Sequence, residues 1–277
     1  MEAMRCVAMK KQFPIISFEH ASFQYEGQSQ ESLKDVKLII KSGEFLVITG
    51  QSGCGKTTML NLMAGFETPT RGEVLYRGNP IKKPSWERGV VFQEYSLLPW
   101  MSVIENVEYG LDGKKLSDKE KNQIAMDCLT MVGLSEFIDH RPNLLSGGMK
   151  QRVAIARTLA MDPDIMLMDE PFSSLDEQTR RRLDGEVCDI WLKKQKTIVF
   201  VTHSVDEALL LGTRIIMFSQ SPGEIVKEWS ISVDHSKRDL TANEFVSLKQ
   251  EILSTLQACS CADNYTNNPK MIKIEGE

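Results

Sequence analysis

The run GQSGCGKTT at Gly50–Thr58 gathers the residue types that hold phosphate. Gly50, Gly55, Lys56 and Thr57 fit the spacing G-x-x-x-x-G-K-[ST]. Glycines let a backbone wrap tightly, so that the N–H groups of a loop such as Gln51, Ser52, Gly53, Cys54 and Thr58 turn inward toward phosphate oxygens. A helix opening at Lys56 adds a partial positive charge. In such a cradle Lys56 reaches the β and γ phosphates of a nucleoside triphosphate, and Thr57 ligates Mg2+. A chance glycine-rich turn is the plain alternative. The apolar run before Gly50 and the helical run after Lys56 argue against it.

Other side chains suit the same chemistry. Asp169 ends the apolar run IMLMD, where a carboxylate at a strand's carboxyl end can hold Mg2+. Glu170 follows at once. Strand alternation aims it differently from Asp169, so it can act as base toward an attacking water. His203 ends TIVFVTH and can reach a γ-phosphate, while Gln93 ends VVFQ and can contact Mg2+ or the lytic water. A lone strand-end histidine is more often structural, and paired strand-end acids are often merely solvated. Four strand ends carrying ligand-type residues strengthen one another.

A second glycine-rich turn, LSGGM at Leu145–Met149, offers the Ser146 hydroxyl, Gly147 and Gly148 at a helix start. Read alone, it is a helix cap with no ligand. Read with the cradle, it is a second anion site for the γ-phosphate held by another subunit. Two chains packed head to tail would then share two sites, with nucleotide between them.

The elements that must position these residues read as alternating strands and helices. EFLVITG (44–50), RGVVFQ (88–93), DIMLMDE (164–170), KTIVFVTH (196–203) and TRIIMFS (213–219) are short and apolar, as parallel strands buried on both faces are. A helix is expected over Lys56–Ala64. PIISFEHASFQY and LKDVKLII partly alternate, as antiparallel strands facing water on one side do. From about Ser102 to Ala160 the pattern is helical, with Ser117 as a cap and Gly133 as a stop. This stretch reads as a helical subdomain inserted into the sheet. The expected fold is α/β of the P-loop NTPase type, a RecA-like parallel core sheet with an N-terminal antiparallel β subdomain. The domain is placed at 13–261: core 13–93 and 162–232, helical subdomain 94–161, C-terminal helix 242–258. Residues 1–12 and 262–277 are expected to be tails, the latter disordered.

Bulk properties narrow the class. The 277 residues are 42% hydrophobic and 26% charged, with net charge −5 and pI near 5.6. No basic excess suggests a nucleic-acid partner. No apolar run approaches the roughly 18–20 residues that span a bilayer, and a secretory leader is not expected at the start. Six scattered cysteines read as free thiols, and Cys259 and Cys261 have the wrong spacing for a zinc knuckle.

This set of motifs, in this order, resembles the nucleotide-binding subunit of ABC transporters over roughly residues 15–230. Gly50–Thr58 matches the Walker A motif, Gln93 the Q-loop, Leu145–Met149 the signature, Ile165–Glu170 Walker B, Ser173–Asp176 the D-loop and His203 the switch histidine. The resemblance makes Tyr25 the aromatic that stacks on adenine and turns Asp176 toward a partner subunit. It implies ATP and Mg2+ as ligands and ATP hydrolysis as the activity. It also implies a head-to-tail dimer, expected to be a homodimer, at the cytoplasmic face of the membrane. There the dimer docks on integral membrane permease subunits and works indirectly with an extracytoplasmic solute-binding protein. LSGGM, FQEYSLLPWMSVIENV and SPGEI resemble importer subunits for nitrate, sulfonate, taurine or bicarbonate-like solutes. Exporter, DNA-repair or chromosome-type ATPases and P-loop kinases are the alternatives. The last do not need LSGGM, and the DNA-associated ones carry long insertions. Two departures stand out. Met149 occupies a position where glutamine is commoner, and Cys54 sits inside the cradle, where it would make activity sensitive to thiol reagents.

Overall fold

Pairs of alternating apolar residues decide the architecture. The computed structural model describes residues 14–235 and 238–266, with 260–266 as backbone alone. In chain order the elements are β1 (Pro14–Phe23), β2 (Leu33–Lys41), β3 (Phe45–Thr49), α1 (Lys56–Ala64), β4 (Arg71–Tyr76), β5 (Asn79–Pro80) and β6 (Arg88–Val91). Then come α2 (Val103–Tyr109), α3 (Asp118–Met131), α4 (Gly147–Ala160), β7 (Ile165–Asp169), α5 (Glu177–Lys194) and β8 (Thr197–Val201). The chain continues through α6 (Val205–Leu211), β9 (Arg214–Phe218), β10 (Ile225–Ser230) and α7 (Asn243–Thr266).

The main sheet has the order β10-β9-β3-β8-β7-β6. β6, β7, β8, β3 and β9 pair in parallel, and β10 closes the edge antiparallel to β9. Both faces are buried. Phe45, Val47, Met166, Met168, Ile198 and Phe200 enter a core shared with α2–α7. Their neighbours Leu46, Ile48, Ile165, Leu167, Val199 and Val201 enter a second core with α1 and the N-terminal sheet. Each such side chain contributes about 1.5–3 kcal/mol when fully buried, so a polar residue tolerated here belongs at a strand end. The smaller sheet is antiparallel, in the order β2-β1-β4-β5.

The helices α2, α3 and α4 lie between β6 and β7, two adjacent strands, and pack on one another as a separate group. Capping boxes start two of them: Ser102 with Glu105, and Ser117 with Glu120. Gly133, with φ of 67°, follows the end of α3. The C-terminal helix runs to Thr266, past the expected end at 258, so 262–266 are not a tail. Nothing between Ala258 and Thr266 stops a helix, since the stretch lacks glycine and the next proline is Pro269. Residues 1–12 and 267–277 lie outside the described residues.

Between α5 and α6 the interior holds a carboxyl group. Asp184 is buried and its Oδ1 has no hydrogen-bond partner among the described residues. Burial, reinforced by the charge of Glu207 and opposed by Arg180, pushes its carboxyl up to about 8. The folded chain therefore keeps a proton that the unfolded chain releases, from the ordinary aspartate range up to about pH 8. Stability drains away as pH rises through that window. Asp184→Asn is expected to flatten the decline of the thermal midpoint between pH 5 and 8. A variant whose midpoint falls as steeply as that of the parent would contradict this origin.

Candidate active site

The cradle forms where β3 ends. Gly50, Gly53 and Gly55 all take positive φ, at 153°, 78° and 96°. At Gly55 a Cβ would lie 2.7 Å from Leu33 Cδ2 and 2.7 Å from the Ser32 carbonyl oxygen, so no other residue fits. The Lys56 ammonium folds back into the loop and donates to the carbonyls of Gly50 (2.9 Å) and Gln51 (2.7 Å). It is nearly buried, and these carbonyls hold it at the loop's centre. Tyr25 lies alongside: its hydroxyl is 3.2 Å from Thr58 Oγ1, and its ring stands edge-on to Phe23 at 4.7 Å.

Asp169, at the end of β7, shares a hydrogen bond with the Thr57 side chain. Burial raises its carboxyl above the ordinary range, and the neighbouring Glu170 charge raises it further. The Thr57 bond and the Lys56 charge oppose this. Of the three residues read as Mg2+ ligands, Thr57 and Asp169 are thus adjacent, and both are oxygen donors of the kind Mg2+ prefers.

Glu170 is not aimed by strand alternation, as the sequence suggested. It lies just past β7 with φ of 42°, and the left-handed turn redirects its side chain. Such a backbone costs about 1–3 kcal/mol. It is held by Glu170 N–H donating to the Val201 carbonyl (3.0 Å), and by the Ser173 N–H (3.2 Å) and hydroxyl (3.0 Å) donating to the Glu170 carbonyl. β7 and β8 are neighbours, with Asp169 opposite Val201. His203, two residues beyond, therefore comes to 3.3 Å from the Glu170 carboxylate through Nδ1. Gln93 Nε2 donates to Ser173 Oγ at 3.3 Å, which joins the end of β6 to the same turn.

Ser146 caps α4 by accepting from Met149 N–H at 3.4 Å. Gly147 and Gly148 begin the helix, where N–H groups lack intrahelical acceptors. Their neighbours are Tyr95, Leu175 and Thr179, residues remote from the cradle in sequence. Asp176 caps α5 through Thr179 N–H (3.0 Å), and this bond lowers its carboxyl below the ordinary range. Gln51, Ser52, Gly53, Cys54, Lys56, Thr57, Thr58, Asp169, Glu170, His203 and Gln93 thus group at the carboxyl ends of β3, β8, β7 and β6, and Tyr25 joins them from beyond β1 through Thr58. Ser146–Gly148 and Asp176 form a second group.

The family profile described as ABC transporter matches residues 33–173. An uncharacterized ABC transporter ATP-binding protein of Methanocaldococcus jannaschii is 47% identical over 235 residues, covering 85% of this chain and 88% of that protein. The chain belongs to the ABC transporter family. As an ABC ATPase it hydrolyses ATP. The taurine import ATP-binding protein TauB of Roseobacter denitrificans is 44% identical over 250 residues, covering 87% of this chain and 93% of TauB. Among solved structures, the dimeric post-hydrolysis state of the ATP-binding cassette MJ0796 with ADP and Pi superposes with a TM-score of 0.70. It is 35% identical and covers 79% of this chain and 100% of that one.

Several supports of this ABC cassette were given no role by the sequence. Gln220 donates to the Gln51 side chain. Gly223 packs on the cradle, where a Cβ would meet the Cys54 carbonyl at 2.2 Å. Ser173, Ser174 and Tyr95 join loops far apart in sequence. Gly223 lies in the SPGEI stretch noted only for its importer resemblance, and nothing there pointed to the cradle. Cys54 is also clarified. Its side chain is buried against Gly50, and burial raises the thiol above its ordinary value. The expected thiol sensitivity does not fit a thiol that is neither exposed nor ionised. Brief N-ethylmaleimide treatment of the native protein should leave Cys54 unlabelled by mass spectrometry and ATPase unchanged. Rapid labelling at Cys54 with loss of activity would contradict the burial argument.

Proposed function

We propose that the chain is the ATP-hydrolysing subunit of an importer for a small anionic solute of the taurine, sulfonate, nitrate or bicarbonate kind. One observation carries the catalytic reading: Glu170 is held in a strained turn against His203, beside the Lys56 cradle and Asp169. In this reading Tyr25 stacks on adenine, its half-exposed ring already fixed beside α1. Phosphates displace the loop carbonyls from Lys56 and take the N–H groups of 50–58. Thr57 and Asp169, with Gln93, would hold Mg2+, which neutralises charge on the phosphates. Glu170 orients the attacking water and draws its proton, while His203 donates to the γ-phosphate. Ser146, Gly147, Gly148 and Asp176 act on the nucleotide of a partner copy. The dimeric MJ0796 cassette supports that arrangement.

The importer reading rests on the 44% identity with TauB and on an exposed aromatic surface. Trp100 is 65% exposed, and Phe66 stacks on Phe92 at 6.0 Å with both rings open to solvent. The buried Asn106 side chain fixes this loop by accepting from Leu98 N–H (2.8 Å) and donating to the carbonyls of Leu98, Met101 and Ser102. Trp100 is therefore not core, and it suits a short cytoplasmic helix of a permease. Among the described residues no helix is long and apolar enough to cross a membrane. We place the chain peripherally, on the cytoplasmic side of a permease served by a solute-binding protein.

Glu170→Gln is expected to lower turnover by about 10²–10³ while ATP binding persists and the dimer accumulates, measured by ATPase assay and size-exclusion chromatography. Full turnover would remove Glu170 from the mechanism. Mild-detergent capture of the full complex should recover a multi-spanning permease by mass spectrometry. Recovery of soluble partners alone would refute transport but leave the ATPase.

A further inference from the structure

The cradle and catalytic turn leave one contact unused. Tyr95 follows Gln93 by two residues, and its hydroxyl meets the Ser174 hydroxyl at 3.1 Å. The same hydroxyl lies 2.8 Å from where a Cβ at Gly147 would stand, so the phenol rests directly on the first residue of α4. The Tyr95 backbone is tied to that helix as well. Arg157 of α4 donates to the carbonyls of Tyr95 (3.3 Å) and Ser96 (2.7 Å). Leu175 completes the contact, 3.1 Å from the same virtual Cβ. One side chain therefore touches the signature turn and the 173–176 loop, with neither bonded to the other through hydrogen bonds of their own among the described residues.

We propose that Tyr95 is a positioning residue that fixes the Ser146–Gly148 turn relative to the Ser173–Asp176 loop. The two surfaces a copy offers to its partner's nucleotide then approach as one body. The inference rests on the head-to-tail reading given above. Without the bridge only the packing of Leu175 on Gly147 and of Thr179 on Gly148 holds the two surfaces together, so more of their order has to be gained when the dimer closes, which weakens closure. ATP binding within one copy is unaffected, because Tyr95 does not touch the cradle. A methyl group at 147 would stand 2.8 Å from the phenol oxygen and would push Tyr95 off this contact.

Tyr95→Phe removes the hydroxyl and keeps the ring. The experiment uses the full chain carrying Glu170→Gln and measures three quantities: ATP-dependent dimerisation by analytical ultracentrifugation, affinity of the monomer for a fluorescent ATP analogue, and thermal midpoint. Adding Tyr95→Phe should weaken the dimer about fivefold to tenfold, the size of one hydrogen bond, with analogue affinity preserved and the midpoint lowered by no more than about 2–4 °C. Ser174→Ala should do the same, and the double variant should be no worse than either single one. In otherwise wild-type protein Tyr95→Phe should lower kcat at low protein concentration with KM for ATP preserved. An unaltered dimer, additive losses, or a fall in midpoint and analogue affinity together would overturn the inference. If the Glu170→Gln parent itself fails to dimerise with ATP, the head-to-tail reading falls and takes the inference with it. A dimerising parent with an indifferent Tyr95→Phe refutes Tyr95 alone.

Discussion

Parallel pairing of β3, β8, β7 and β6 is the constraint from which the site follows. These strands are buried on both faces, so a slip in their pairing would force every side chain into the opposite core, whose close packing it does not fit. Parallel direction places all their carboxyl ends on one edge. Gly50, Gln93, Asp169 and His203 lie at or within two residues of those ends, which brings them together from positions more than a hundred residues apart. The polar chemistry is thus confined to the rim of a sheet whose body admits little polarity.

Rigidity at that rim comes from hydrogen bonds between loops rather than within them. Ser173 accepts from Gln93 and donates to the Glu170 carbonyl, which stabilises an otherwise unfavourable left-handed glutamate. Arg180 donates to the carbonyls of Phe172 (3.3 Å) and Leu175 (2.9 Å) and pairs with Glu207 at 3.5 Å. Thr202, next to His203, donates to the same Glu207. The loop that carries Asp176 and the loop that carries His203 are therefore braced by one ion pair.

The parallel strands were legible because double burial writes a continuous apolar run. The Lys56–Ala64 helix was legible because the phosphate motif requires it. β4, β5 and β10 were not read. Their side chains are mostly exposed and carry almost no hydrophobic signal, and β5 and β10 are edge strands besides. Tyr95, Gln220 and Glu207 were missed for another reason: their partners lie far away in the chain, and no local spacing encodes such a contact. Glu170 was read as a candidate with its aim attributed to strand alternation, whereas it lies in a left-handed turn just past β7. Only backbone dihedrals could reveal a left-handed residue there.

Head-to-tail pairing requires that the cradle at 50–58 and the turn at 146–148 form one nucleotide site made by two chains. Ser52→Cys and Ser146→Cys, placed on separate copies with Glu170→Gln and the other accessible cysteines replaced, test it directly. Mixed copies should form a disulfide-linked dimer when ATP is added and not before. Copies that bind ATP but never cross-link, or that cross-link equally without nucleotide, would contradict it.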